Sequence, residues 1–186
     1  MEQNEIINFF LQPTELRRPT SQERSKITAT CGVYAWYSDL TLAKEANVMI
    51  PAEGVWRVGD FLLLYIGSVT TRPIRNRLRY HSGGGRADQS QVQMGLGCLL
   101  SQALKIELRP KPPKFHDFYP KGPLKKWIEE HTFFKCLIDE EAEKWEKMLI
   151  SKLKPLLNKH GNDSQPFCAI VRGLEKEQNK RSKLLD

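Results

Sequence analysis

The sequence predicts an α+β domain, in which a small sheet is flanked by helices. Two segments dominated by β-forming residues, 27–40 and 60–69, indicate an antiparallel pair of strands. A third such segment, 132–138, precedes a long stretch from Asp139 in which apolar residues recur at helical spacing. A chain of 186 residues has the length of one domain with some extra decoration, so we expect one domain.

The composition indicates a folded, basic protein. Hydrophobic residues make up 40% of the chain and charged residues 27%, and the net charge is +7 with a pI near 9.3. A basic surface attracts the phosphates of nucleic acid, although an anionic membrane surface or simple solubility would account for the charge equally well. No apolar run approaches the ~18 residues of a membrane-spanning helix, and the N-terminus does not have a signal-peptide pattern. We therefore expect a soluble, cytoplasmic protein.

The four cysteines do not predict a metal site. Cys31, Cys98, Cys136 and Cys168 are widely separated, with no CxxC pair and no Cys/His cluster at ligand spacing. We expect reduced and mostly buried thiols, as is usual in the cytoplasm.

Three regions follow one another along the chain. Residues 1–28 form a polar, proline-containing arm, in which "EIINFFLQ" predicts one short helix. Residues 29–172 hold the expected strands and most of the helices, and they are predicted to form the folded domain. Residues 173–186 form a charged tail that we expect to be frayed or helical at the surface.

The connector between the first two strands is predicted to contain a short helical turn near 42–47 and a loop at 51–54. After the second strand, "RPIRNRLRYHS" predicts a helix with a narrow apolar stripe formed by Ile74 and Leu78. Glycines at 83–85 are expected to end this helix.

The second half of the chain alternates between helices, loops and strands. Leucines at helical spacing predict a helix over 90–108, and a Pro/Lys-rich loop is expected at 109–121. "LKKWIEEH" predicts a short helix before the third strand. The long helix that follows is expected to have Asp139 as its N-cap and to end or kink at Pro155, and "PFCAIV" indicates a last short strand.

Two tyrosines and an Arg/His pair are candidates for chemistry. Tyr34 and Tyr65 each lie near the end of a predicted strand beside a glycine, where aromatic packing within a sheet would also explain them. Arg77 and His81 are four residues apart and share a helix face. Over a phosphate, an arginine stabilises negative charge and a histidine accepts a proton. The alternative is a solvated basic face.

A glutamate and an asparagine in the long helix region complete the candidates. Glu146 is on the apolar stripe that includes Leu149 and Leu153, where a carboxylate is costly unless it is paired or binds a metal. Asn158 follows the expected end of that helix, where a helix C-cap is the ordinary explanation.

Taken together and in this order, these residues resemble the motifs of the GIY-YIG nuclease family. The matching motifs are Gly32-Val33-Tyr34, Tyr65-Ile66-Gly67, Arg77-Leu78-x-x-His81, Glu146-x-x-Leu149-Ile150 and Lys154-Pro155-x-x-Asn158. Val33 stands where the family name has isoleucine. The stretch between the second and third motifs is longer than in compact members, so Arg75 is an alternative catalytic arginine, although "RLRYH" favours Arg77. The resemblance covers residues 30–160.

The resemblance implies a three-stranded, mainly antiparallel sheet and hydrolysis of DNA phosphodiester bonds with one divalent ion. That ion would be Mg²⁺, with Mn²⁺ as a substitute, and Glu146 would be its ligand. Tyr34 would act on the attacking water as general base or position it, and His81 would accept the proton. Arg77 would bind the scissile phosphate and stabilise the transition state.

Further roles are implied for the remaining motif residues. Tyr65 would contribute a hydrogen bond to the phosphate or the water, and Asn158 would orient the site. Double-stranded DNA would be the partner, with flanking phosphates bound by the remaining arginines of the region. These are Arg72, Arg75, Arg79 and Arg86. Recognition of the DNA base sequence would then come from the N-terminal arm or from the segments 83–91 and 109–121, each of which is equally well explained as a solvated connector.

Among members of the family, the compact restriction endonucleases look most similar, especially in the pairing of Arg77 with His81. An enzyme of that type with one active site per chain would need a homodimer to cut both strands. The alternatives are a structure-specific, repair or mobile-element nuclease, and a non-catalytic DNA-binding module that keeps the fold. A protein that binds a membrane surface is a third class, and no strongly amphipathic basic helix favours it.

Overall fold

A computed structural model describes residues 2–50, 57–111 and 115–184 of the chain, and the predicted loop at 51–54 lies outside them. Its strands are β1 (Gly32–Asp39), β2 (Arg57–Val58), β3 (Phe61–Val69), β4 (Glu107–Lys111), β5 (Phe115–Tyr119) and β6 (Thr132–Leu137). Its α-helices are α1 (Gln3–Leu11), α2 (Ser21–Ser25), α3 (Thr41–Glu45), α4 (Ile74–Arg79), α5 (Gln91–Leu99), α6 (Lys121–His131), α7 (Ala142–Leu153) and α8 (Pro166–Ser182). A π-helical turn (Tyr80–Gly84) follows α4, and a 3₁₀ turn (Ala87–Gln89) precedes α5.

The central sheet is antiparallel and has the strand order β2-β3-β1-β6. The prediction of an α+β fold with a small antiparallel sheet flanked by helices is confirmed. The expectation of three strands is wrong by one, because β2 adds a two-residue strand that pairs with Phe61 and Leu62. A strand this short has no period-2 pattern that a sequence could reveal.

Each face of the sheet is buried in its own core, so β1 is apolar on both sides. Tyr34 and Trp36 pack with α4, α5 and α6 on one face. Val33, Ala35 and Tyr37 pack with α1 and α7 on the other. Side chains therefore reach the end of the sheet from two layers of helices.

A β-bulge in β3 changes the direction of the side chains that follow it. The pairing of β1 with β3 shifts between Trp36, which is opposite Tyr65, and Tyr37, which is opposite Leu63. Leu64 is the extra residue, and Leu64 and Tyr65 both belong to the core that contains Tyr34. Bulges commonly re-aim side chains beside active sites. This one brings Tyr65 to the same face as Tyr34.

The two edges of the sheet are covered by segments that are not strands. Beyond β2, the backbone of β3 is bonded by the segment 156–158, with Leu156 N donating to Leu63 O and Leu157 N to Leu64 O. On the outer edge of β6, Arg17 of the arm exchanges two backbone hydrogen bonds with Phe134. Covered edges protect the sheet from pairing with other chains.

The N-terminal arm packs closely against the sheet. The predicted short helix is present as α1, whose residues Ile6 and Phe10 are fully buried. Tyr37 Oη donates to the carbonyl of Phe10 over 2.8 Å, and Lys135 Nζ donates to that of Phe9 over 2.6 Å. These contacts hold the arm over the face that also binds α7.

Two sequence predictions for residues 90–121 are wrong. The helix predicted for 90–108 ends at Leu99 in α5, and turns then lead to β4. The loop predicted for 109–121 is mainly the β4–β5 hairpin, with Leu108 and Phe118 buried. Pro110 is tolerated in β4 because this two-stranded sheet consists only of edge strands.

The predicted last strand "PFCAIV" is the first part of α8. Pro166 occupies the first turn of the helix, and the Gln165 side chain accepts from Phe167 N. Phe167, Cys168 and Val171 are buried on one face at helical spacing. The helix runs on through most of the segment predicted as a charged tail.

The long helix α7 also begins later than predicted. Asp139 Oδ1 accepts from Glu141 N over 2.7 Å, so Asp139 caps the turn that leads into the helix.

The four cysteines are free thiols, and Cys98 and Cys168 are buried. No helix in the described ranges is long and apolar enough to cross a membrane.

Candidate active site

Three aromatic side chains form the buried floor of the candidate site. Tyr34 of β1 lies opposite Gly67 of β3. Tyr34 and Tyr65 are both almost fully buried. The ring centroids of Tyr34 and Tyr65 are 6.3 Å apart, and that of His81 lies 5.7 Å from Tyr34 and 5.1 Å from Tyr65. The candidates from β1, β3 and the π-helical turn therefore meet at one end of the sheet.

Glycine at position 67 is required by the Tyr34 side chain. A Cβ added at Gly67 would lie 2.5 Å from the Tyr34 hydroxyl and 2.8 Å from the ring of Tyr65. Neither ring is free to move, because both are packed in the core. The glycine thus creates the space in which the two hydroxyls approach each other.

Replacing Gly67 with alanine is expected to displace the Tyr34 hydroxyl. We expect a loss of about 1–3 kcal/mol of folding free energy from overpacking and a ~10²-fold loss of any cleavage activity from misplacement of the hydroxyl. Thermal unfolding and a DNA cleavage assay measure the two effects. Gly122→Ala is the control, since no atom lies within 4 Å of its added Cβ. Equal behaviour of the two variants would contradict the prediction.

His81 is held at both ring nitrogens. Its Nε2 is 3.0 Å from Tyr34 Oη, and its Nδ1 is 2.8 Å from Ser90 Oγ. Ser90 is the N-cap of α5 and its Oγ also accepts from Gln93 N over 3.1 Å. Complete burial, together with the charge of Arg77, lowers the pKa of His81 well below its usual value. The imidazole is therefore neutral at neutral pH and is able to accept a proton.

The two tyrosines are protonated at neutral pH. Burial raises the pKa of Tyr34 well above its usual value, and Tyr65 and Glu146 raise it further while Arg77 opposes the shift. Burial and the nearby Glu146 carboxylate likewise raise the pKa of Tyr65. Each hydroxyl thus has a proton that it can donate.

Arg77 is the arginine that points into this cluster. Its half-buried guanidinium interacts with the hydroxyls of Tyr34 and Tyr65, and Nη1 donates to the carbonyl of Gln89 over 3.1 Å. Arg75 is exposed on the same helix, α4, and makes none of these contacts in the described chain. The geometry therefore separates the two arginines that the sequence leaves as alternatives.

Glu146 of α7 reaches the site from the other layer of helices. Its half-buried carboxylate accepts a hydrogen bond from Ser68 Oγ at the end of β3. Burial raises the pKa of Glu146, whereas the Ser68 hydrogen bond and the charge of Arg77 oppose the shift. A carboxylate whose pKa is raised by burial, beside other candidate residues, is a candidate functional group.

The donor set fits a Mg²⁺-type ion bound by one protein carboxylate. In the described ranges, no group of three or more His, Cys, Asp or Glu side chains is placed to hold a metal. Mg²⁺ commonly binds through one or two carboxylates and completes its shell with waters and substrate phosphate oxygens. Glu146 is the residue that would hold such an ion.

Asn158 binds the backbone of β3 next to Tyr65. Its Oδ1 accepts from Ile66 N and its Nδ2 donates to Ile66 O, both over 2.8 Å. Asn158 is buried, and its side chain makes the hydrogen bonds that a neighbouring strand would otherwise make with Ile66 at this edge of β3. The C-cap explanation is wrong, because α7 ends at Leu153 with Lys154 as its cap.

Replacing Asn158 with alanine would leave the N–H and C=O of Ile66 buried without a partner. Each such group costs about 1–3 kcal/mol, so we expect a loss of about 2–4 kcal/mol in the free energy of unfolding, measured by urea denaturation. Asn8→Ala on the exposed face of α1 is the matched control, and a change within ~0.5 kcal/mol is expected there. A small effect at Asn158 would mean that β3 does not depend on this side chain.

The four predicted flanking arginines occupy the surface around α4 and the turn that follows. Arg72, Arg75 and Arg79 are exposed, and the guanidinium of Arg79 lies 5.3 Å from the centre of the Tyr80 ring. Arg86 is half-buried and forms an ion pair of 3.0 Å with Asp88. Exposed arginines of this kind are suited to phosphate contacts that give affinity without sequence specificity.

Two serines at the site were not predicted. Ser90 contacts His81, and Ser68 contacts Glu146. Ser90 precedes a run of apolar residues and could have been recognised as a helix N-cap, although its contact with His81 could not. Nothing in the sequence around Ser68 distinguishes it from any other residue of a strand.

Comparison with known proteins gives one match. A family model described as the GIY-YIG catalytic domain matches residues 32–179, which span the central sheet, the site and most of α8. No significant match is found among curated proteins or among solved structures. The matched region contains Tyr34, Tyr65, Arg77, His81 and Glu146.

Proposed function

Because this chain belongs to the GIY-YIG nuclease family, we propose that it is a DNA endonuclease that uses one divalent metal ion, and specifically a type II restriction endonuclease. The observation that carries the proposal is the hydrogen bond between Tyr34 and a neutral, buried His81, beside the guanidinium of Arg77. That combination offers a proton acceptor and a fixed positive charge at one place.

Tyr34 and His81 accept the proton of the attacking water. The water oxygen forms a bond to phosphorus as the bond between phosphorus and the leaving oxygen breaks. The water gives its proton to Tyr34 Oη, while the phenolic proton of Tyr34 moves to His81 Nε2. Tyr34 stays neutral through this step, which agrees with its raised pKa, because burial disfavours a phenolate. In a later step the proton leaves His81 Nε2 through the Tyr34 hydroxyl, because His81 is completely buried, and the leaving oxygen takes up a proton from solvent.

Arg77 binds the scissile phosphate and stabilises the additional negative charge of the pentavalent transition state. Its guanidinium is held by the Gln89 carbonyl, so it is oriented before substrate binds. Tyr65 donates its hydroxyl proton to the same phosphate or to the water. Asn158 keeps Tyr65 in place through the backbone of Ile66.

Glu146 holds the metal ion, with Ser68 fixing the orientation of the carboxylate. Members of the family generally use divalent metal ions, and we propose Mg²⁺, with Mn²⁺ as a substitute. When bound, such an ion supplies charge to the phosphate and to the leaving oxygen.

Double-stranded DNA is the proposed substrate, with Arg72, Arg75, Arg79 and Arg86 on its flanking phosphates. The net charge of +7 favours association with a polyanion. A homodimer is proposed because one active site per chain cuts one strand. Restriction also places the enzyme in the cytoplasm, where it meets incoming DNA.

The test is a digest of supercoiled plasmid and phage DNA with the full chain and Mg²⁺. Discrete fragments with defined ends are expected for a restriction enzyme. Nicking alone, or cleavage only of branched DNA, would replace that proposal with a structure-specific or repair nuclease. DNA binding without cleavage in Mg²⁺ or Mn²⁺ would indicate a non-catalytic DNA-binding module and would overturn the enzymatic proposal.

A further inference from the structure

The contact between His81 and Ser90 has a consequence for the proposed proton transfer. A neutral imidazole has one donor and one acceptor nitrogen, and the partner of one nitrogen decides the role of the other. For His81 Nε2 to accept the proton of Tyr34, Nδ1 must hold a hydrogen and needs an acceptor for it. Within the described chain, Ser90 Oγ is the hydrogen-bond partner of Nδ1.

We propose that Ser90 is a positioning residue for the nuclease reaction: its hydroxyl oxygen accepts the Nδ1–H of His81 and so keeps Nε2 available to Tyr34. The serine oxygen has two lone pairs. The N–H of Gln93 occupies one, over 3.1 Å, and the Nδ1–H of His81 occupies the other, over 2.8 Å.

Burial makes this contact difficult to replace. His81 is 0% exposed and Ser90 is 1% exposed, so bulk water does not reach Nδ1. Within the described chain, the other groups that face the imidazole are Tyr34 and Trp36 of β1, Tyr65 of β3 and the charge of Arg77 of α4. Of these, Tyr34 is on the Nε2 side, and an arginine cannot accept a hydrogen bond.

The N-cap of α5 fixes the position of Ser90. Its hydroxyl is held by the first turn of a nine-residue helix, and Val92, Leu96 and Leu99 of that helix are buried in the core. An N-cap side chain has little freedom, because moving it would leave the helix N–H without a partner. The helix thus acts as a rigid support for the imidazole.

Serine differs from a carboxylate in the effect that it has on His81. A buried aspartate at Nδ1 would stabilise the imidazolium and raise the histidine pKa, whereas a neutral hydroxyl orients the ring without adding charge. His81 therefore stays neutral at neutral pH and is ready to accept a proton. The inference rests on the proposed function only in its kinetic part.

The tautomer is tested directly on the full-length, ¹⁵N-labelled chain by long-range ¹H–¹⁵N NMR correlation of the imidazole nitrogens. The His81 signal is identified by its absence from the His81→Gln variant. We expect a hydrogen on Nδ1 in the wild type and a mixture of tautomers in Ser90→Gly, because glycine retains most of the capping function but has no hydroxyl. A hydrogen on Nε2 in the wild type would mean that His81 donates to Tyr34, and it would overturn the proposal.

The kinetic test uses the same variants under single-turnover conditions. We expect Ser90→Gly to lower the cleavage rate by about 10–100-fold, as is typical of orienting groups one step from the reaction, and Ser90→Thr to restore most of it. Ser90→Asp, which keeps the cap, is expected to move the acidic limb of the pH–rate profile to higher pH. Thr20→Gly, at the exposed N-cap of α2, is the control for loss of a cap.

The outcomes separate this inference from the proposed function. If the wild-type chain does not cut DNA, the proposed function fails, and the NMR experiment still decides whether Ser90 sets the tautomer. If the chain cuts DNA but Ser90→Gly leaves the rate, the pH profile and the His81 signals unchanged, the role of Ser90 is refuted and the nuclease assignment stands.

Discussion

Replacing Glu146 with glutamine is expected to abolish DNA cleavage while leaving the protein folded and able to bind DNA. Glutamine keeps an oxygen for the Ser68 hydroxyl but loses the charge that would hold a divalent ion. A bound metal contributes several kcal/mol of transition-state stabilisation, so the cleavage rate should fall by a factor on the order of 10³ or more. Single-turnover cleavage in Mg²⁺ and in Mn²⁺ measures this loss.

The same substitution is expected to preserve or raise the thermal stability at neutral pH. Burial raises the pKa of Glu146 above its value in the unfolded chain, so the folded state binds the proton more tightly. The cost of burying the charge is therefore present at neutral pH and disappears as the pH falls below the ordinary pKa of the group. Glu146→Gln removes that cost, so any gain in Tm over the wild type should be present at pH 7 and vanish in acid.

Glu143→Gln is the matched control, because Glu143 is exposed in the first turn of the same helix. It should cut DNA at a rate within a few-fold of the wild type. Full activity of Glu146→Gln in Mg²⁺ would exclude Glu146 as the metal ligand. A Glu146→Gln variant that is unfolded, or that no longer binds DNA, would show that the carboxylate has a structural role and would contradict the prediction.

Patterns that are local in the chain predicted much of this fold. The strands around Tyr34 and Tyr65 follow from runs of β-forming residues, and α7 follows from its apolar stripe. The β4–β5 hairpin was missed because the prolines of the segment 109–121 indicated a loop. The start of α8 was missed because a run of six apolar residues fits a helix and a strand equally well.

The candidate site was likewise predicted only in part from the sequence. Tyr34, Tyr65, His81 and Glu146 could be selected by type and spacing, and the structure brings them to one end of the sheet. The contacts that hold them could not be selected, because they join positions far apart in the chain. Asn158 bonds Ile66 across 92 positions, and Ser68 bonds Glu146 across 78. Such pairs depend on how elements pack, which no local pattern records.

Sequence spacing leaves open whether Arg75 or Arg77 is the catalytic arginine, and the packing of the two side chains favours Arg77. We expect Arg77→Lys to lower the single-turnover cleavage rate by about 10²–10³-fold, because lysine keeps the charge but loses the planar set of donors. Arg75→Lys should change the rate by no more than a few-fold. Both variants keep the net charge, so long-range attraction to DNA is the same in each.

The reason lies in where the two guanidinium groups are. Arg77 is half-buried against the hydroxyls of Tyr34 and Tyr65 and is oriented by the Gln89 carbonyl, so its charge acts on the phosphate through little intervening water. Arg75 is exposed, and its charge is screened by salt. Arg75→Ala should therefore weaken DNA binding and reduce the slope of log K against log salt by about 1, with little change in the rate at saturating enzyme. A large rate loss at Arg75 together with a small one at Arg77 would reverse the assignment. It would require the opposite face of α4, on which Arg75 lies, to face the scissile phosphate.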